Sequence, residues 1–162
     1  MVDKGFELYS QVQQFLEDNK ENSITTGGIS DKRVYEIEDA LNVRLPNSYK
    51  WFLKNYGSGG AYGVSITGYD FGGAEVVDWT NMYRREFNLP SGFVVVEDVD
   101  YFAYCIDTNK MKNGECPVIS WDRVIGYTSE DASSFIEFFY EKLLRMKKDW
   151  EEDEQDGSCN QF

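Results

Sequence analysis

The chain has 162 residues and a mass of 18.8 kDa, one domain's worth, which is long enough to bury most of the surface its unfolded form exposes. Sixteen Lys and Arg against 29 Asp and Glu give a formal net charge of −13 and a pI near 4.4, the wrong sign for tracking nucleic-acid phosphates or adhering to anionic lipid. Histidine is absent, which excludes Ser-His-Asp and Cys-His nucleophilic machinery, and no apolar run approaches the ~20 residues of a membrane span.

In chain order, Leu8, Tyr9, Val12, Phe15 and Leu16 recur at helical spacing and predict a first amphipathic helix over 6–19, followed by a polar joint over 22–28. Ser30 is a good N-cap for a second helix carrying Val34, Ile37 and Leu41 and stopping near Asn42. Pro46 then opens a third, in which Tyr49, Phe52, Leu53 and Tyr56 share one face before Gly57 closes it. The glycines at 57, 59, 60 and 63 predict a loop, residues 64–67 a short strand, and Val76, Trp79, Met82 and Tyr83 a further helical segment. Aromatic and β-branched residues over 93–97 and 101–106 predict two neighbouring antiparallel strands. Asn113-Gly114 turns into a strand over 117–121, and 124–127 is a candidate for another. A last helix follows, capped by the Thr128/Asp131 spacing or by Ser129, with Ile136, Phe139, Tyr140 and Leu143 on one face. Helices, then a meander of strands, then a helix is an α+β order, in one domain over 1–148 with an acidic, flexible tail over 149–162.

The acidity is uneven. Asp70, Glu75, Asp78, Glu86, Glu97, Asp98, Asp100 and Asp107 face only Arg84 and Arg85, and Asp149, Glu151, Glu152, Asp153, Glu154 and Asp156 crowd the C-terminus. The tail reads as a solvated run, while the central acids fall on a strand pair and its preceding helix, where fixed carboxylates can complement a basic surface. Asp70, Glu75, Asp78, Glu97, Asp98, Asp100 and Asp107 are therefore the candidate partner contacts, with Trp79 as a possible aromatic anchor, although its spacing with Val76 and Tyr83 also suits a core stripe.

Other chemistry finds little support. Paired carboxylates with 11 Tyr and four Trp make a glycoside-cleaving surface conceivable, but any acidic chain offers such pairs. Near-matches to a calcium loop at Asp107-Thr108-Asn109 and at Glu152 to Gly157 lack the required glycine or the closing glutamate, and the glycine cluster lacks a Gly-Lys-Ser/Thr ending. Cys105, Cys116 and Cys159 are odd in number and without CxxC spacing, and the opening residues show no secretory h-region, so a reducing cytoplasm is the expected compartment. No catalytic residue, metal site or cofactor is assigned.

The run Leu45-Pro46-Asn47-Ser48-Tyr49-Lys50-Trp51-Phe52-Leu53-Lys54-Asn55-Tyr56-Gly57 resembles the SUKH superfamily of fungal cell-wall-assembly regulators and their bacterial relatives, in its Leu-Pro, its aromatic three residues on, its Phe-Leu and its glycine exit. Cys116-Pro117-Val118 to Trp121, and Ser134-Phe135 with Phe138-Phe139, extend the likeness over 29–146. The resemblance implies a twisted, largely antiparallel sheet packed by helices. It is strongest to the bacterial immunity proteins paired with LXG-type polymorphic toxins, and so implies a non-enzymatic antitoxin that binds and neutralises a cognate toxin domain. A basic nuclease is the partner expected, since an acidic protein can occupy its groove as a phosphate mimic, with no direct nucleic-acid or membrane binding of its own. The competing readings are a regulatory protein-interaction module and an acidic carbohydrate-active enzyme.

Overall fold

A computed structural model describes residues 4–159, with side chains over 6–155. Among these residues the fold is α+β, with five α-helices and two antiparallel sheets. Helix α1 (Lys4–Asp18) leads through a 3₁₀ turn to β1 (Ser23–Thr25), then come α2 (Asp31–Leu41), α3 (Asn47–Tyr56) and β2 (Gly59–Ala61). Helix α4 (Glu75–Glu86) precedes the strands β3 (Phe93–Val99), β4 (Phe102–Asp107), β5 (Val118–Asp122) and β6 (Gly126–Ala132), and α5 (Phe135–Cys159) ends the described chain. Strands β3 to β6 form a four-stranded meander in sequence order, while β1 and β2 pair separately.

Local chemistry accounts for most boundaries. The Ser30 hydroxyl accepts from the Arg33 amide at 3.3 Å and starts α2, and Asn42 ends it in the left-handed region. Pro46, with its missing N–H and fixed φ, sets the entry to α3. Gly57 closes that helix at φ 75°, where a Cβ would meet the Gly27 carbonyl at 2.1 Å. The glycine cluster is therefore not a loose loop. It carries β2, because segments here approach too closely for side chains: a Cβ on Gly68 would lie 1.9 Å from the Gly57 carbonyl oxygen.

Two other expectations are corrected. Residues 64–67 form one isolated bridge, Ile66 with Gly59, because this stretch lies along the edge of β3 instead of making a strand ladder. Thr128, Ser129 and Asp131 do not cap the last helix. They lie in β6, and the same Ser-x-x-acid spacing recurs at Ser134/Glu137, where the Glu137 amide donates to the Ser134 hydroxyl at 3.3 Å and α5 begins. Helix α5 continues through 148 to Cys159, and Trp150 within it packs on Tyr62 with ring centroids 5.4 Å apart. Residues 160–162 lie outside the described residues, and so do the side chains of Asp156 and Cys159.

The sheet is covered on both faces. Val94, Val96, Ile106 and Val118 face the main core with α1, α2, α3 and α5, where Tyr49, Phe52, Phe135 and Phe139 are fully buried and their rings pack edge-on or stacked. Truncating one of these phenylalanines to Ala costs about 3–5 kcal/mol by the usual core scale. Val95, Ala103, Cys105 and Ile119 face a second cluster built on Tyr83 and Leu89, with Trp79 packed against it. Strand alternation explains the split, since neighbouring residues of one strand point to opposite faces.

Candidate functional site

The acids of the central segment divide by depth. Glu97 is only 4% exposed, on the α5 side of β3. It pairs with the buried Lys142 of α5 and accepts the Ser65 amide at 2.9 Å, while the Lys142 ammonium also lies over the Tyr104 ring. Asp107, 5% exposed, accepts the Asn109 amide at 3.1 Å and shapes the turn after β4. Both carboxylates are used inside the fold and neither stands on an open face, because each must satisfy backbone or ammonium donors that burial removes from water.

Asp98 is intermediate. The Tyr83 hydroxyl donates to it at 2.5 Å and Arg123 at 2.9 Å, while Arg123 also donates to the Tyr83 oxygen at 3.1 Å and stacks over the Phe87 ring. Burial, and then the carboxylate of Asp98, push the Tyr83 phenol well up, and its hydrogen bond to Tyr83 raises Arg123 further. This triad clamps α4 and the β5–β6 turn to β3. Trp79 is half-buried against the second core cluster, so packing explains it.

Asp78 and Asp100 are exposed, the latter at φ 60° in the β3–β4 turn. Asp70 and Glu75 are half-buried together at a cleft of about 310 Å³ lined also by Ile24, Ser58, Gly60 and Ser65. Loss of hydration raises the Glu75 carboxyl, and neighbouring Asp70 adds to this, while the Gly68 amide donating at 3.3 Å opposes it. The structure thus brings Asp70 and Glu75 together at the cleft, leaves Asp78, one turn along α4 from Glu75, and Asp100 exposed, and withdraws Glu97 and Asp107.

Other surface features escaped sequence reasoning. The turns joining β3 to β4 and β5 to β6 lie side by side, the Arg123 amide donating to the Tyr101 carbonyl at 3.0 Å. They project Tyr101, Val124 and Ile125, which are 82%, 91% and 73% exposed. Asp122 beside them accepts the Val124 and Ile125 amides, which hold its carboxyl low. The only sequence signal was the Val124-Ile125 pair, which reads equally as strand.

Elsewhere, burial pushes the Cys105 thiol up and Cys116 up to about 12, so neither is a poised nucleophile. No group of three or more His, Cys, Asp or Glu side chains that could hold a metal occurs among the described residues. No helix there is long and apolar enough to cross a membrane. Many of the aromatic side chains that made a sugar-binding surface conceivable are fully or partly buried in the two clusters.

Comparison with known proteins agrees with this architecture. The SUKH_5 family model, described as SMI1-KNR4 cell-wall, matches residues 10–144, and the chain belongs to that family. A protein of Bacillus subtilis (strain 168), named "Uncharacterized protein YnaB", is 30% identical over 129 residues, which cover 75% of this chain and 82% of that protein.

Proposed function

We propose that this protein is a cytoplasmic immunity protein that neutralises a cognate polymorphic toxin of the LXG type, a basic nuclease, by stoichiometric binding. Membership of the SMI1-KNR4 family carries the reading, because members of this superfamily often act as immunity proteins that bind partner proteins. Charge supports it. With a net charge of −13 and acids such as Asp78 and Asp100 exposed on a rigid scaffold, the molecule attracts a basic groove from a distance and associates quickly at low salt. Protection of this kind needs no catalytic group, and the buried thiols and internally bonded carboxylates suit a binding role. The family's cell-wall description favours one second reading, a regulatory protein-interaction module.

Co-expression with toxin domains encoded beside this gene tests the proposal. The expected result is rescue of growth and co-purification in a fixed ratio, with affinity falling as salt rises. Absence of rescue and of a complex for every adjoining toxin domain would overturn it in favour of the regulatory module.

A further inference from the structure

The two edges of the four-stranded sheet are treated differently by the fold. Beyond β3, the Thr67 amide donates to the Val96 carbonyl at 2.8 Å and the Thr67 hydroxyl to the Val95 carbonyl at 2.7 Å, while the Val95 amide donates to the buried Thr80 hydroxyl at 3.0 Å. Beyond β6 no strand pairs among the described residues, and five consecutive residues, Tyr127 to Asp131, are exposed. An open edge of backbone donors and acceptors is a template for another strand.

Charge selects the occupant. Glu130 stands on this edge and Asp100 and Asp122 at the adjoining turns, whereas Asp131 turns back to the Ser120 and Ser129 hydroxyls, which donate to it at 2.6 and 3.0 Å on the side of Arg145 and Lys142, and Arg123 is engaged by Asp98 and Tyr83. A second copy of the chain would bring like charges together, whereas a segment with basic side chains at alternate positions would meet opposite ones. The register carries one extra residue in β6 at each of two places, near Thr128 and Asp131, so the regular stretch on offer is short. Tyr127 pairs with Trp121 and shares its face, and the apolar tip of Tyr101, Val124 and Ile125 continues from the end of the strand, giving a non-polar anchor beside the acids.

We infer that the outer edge of β6 with the two adjoining turns is a docking site for a short, extended, basic segment of the partner protein, which adds to the sheet as a fifth strand. This rests on the binding role proposed above and specifies its surface and recognition mode. It departs from the sequence-derived acidic set by retaining only Asp100 of those residues at the contact.

The test uses the full chain and a seven-residue peptide of alternating Lys and Val, followed by amide chemical shifts and hydrogen exchange. The expected result is perturbation confined to residues 99–102 and 122–131, with slowed exchange on β6. A peptide with alternate amides N-methylated, which keeps the charge but cannot complete the ladder, should bind about tenfold more weakly, and the doubly substituted Asp100→Lys, Glu130→Lys protein should show a similar loss. Perturbation centred elsewhere, equal binding of the N-methylated peptide, no binding, or pairing of β6 between two copies would each overturn the inference. Peptide docking at β6 alongside failure to rescue growth from every toxin domain would remove the immunity reading and leave the edge site standing. Growth rescue from a toxin domain whose complex leaves β6 exchange unchanged would do the reverse.

Discussion

Strands β3 and β6 lie at opposite edges of one sheet and both carry acids, yet the two edges are built in contrasting ways. At β3 the backbone is sealed by Thr67 and Thr80, and Glu97 is buried against Lys142. At β6 the backbone is open and Glu130 is in water. The same residue type is thus a structural ion on one edge and a surface charge on the other. What differs is the neighbouring element: α5 and the 65–68 stretch reach Glu97, whereas among the described residues no strand lies beyond β6.

The contrast is broken most severely at Glu97. Replacement by Ala leaves the Lys142 ammonium buried without its partner, an expected loss of about 3–5 kcal/mol in urea unfolding, while the doubly apolar Glu97→Leu, Lys142→Met protein should recover most of it. A double variant no more stable than the single one would show that the pair itself, and not the orphaned charge, matters. It follows that charge reversal at Glu97 reports on folding and is unsuited to mapping a partner.

Thr80 offers a smaller break. Thr80→Val keeps the shape but strands the buried Val95 amide, with an expected cost of about 1–3 kcal/mol, and Thr80→Ser should restore much of it. Thermal unfolding of the two variants makes the comparison, and equal destabilisation would shift the cause from the hydrogen bond to packing.

The least effect is expected at Glu75, which holds Gly68 at the end of the sealing stretch. Its folded pKa lies above the unfolded one, so the folded state binds more protons, and stability is greatest below the unfolded value and declines as pH rises through the folded one. Glu75→Gln should flatten that part of the decline in denaturation series run upward from about pH 4, the ordinary glutamate range, with a small gain at neutral pH because the group is half exposed. An unchanged pH profile would mean that Glu75 titrates alike in both states.

Sequence alone determined the helices with strong local signals, α2 between the Ser30 cap and Asn42 and α3 between Pro46 and Gly57, together with the paired aromatic strands β3 and β4, because capping, proline geometry and β-branching act within a few residues. It also determined the sign and size of the charge. Tertiary structure decided what each charge does. Glu97 and Asp98 are adjacent in β3 and identical in formal charge, but one reaches Lys142 on α5 and the other Tyr83 and Arg123 on the opposite side, partners 45 and 15 to 25 residues away. It likewise decided that the glycine cluster forms β2, through close approaches of backbone from distant segments, and that β6 is an open edge. Burial and edge exposure belong to the packing of whole elements, and no window of sequence contains the partner that sets them.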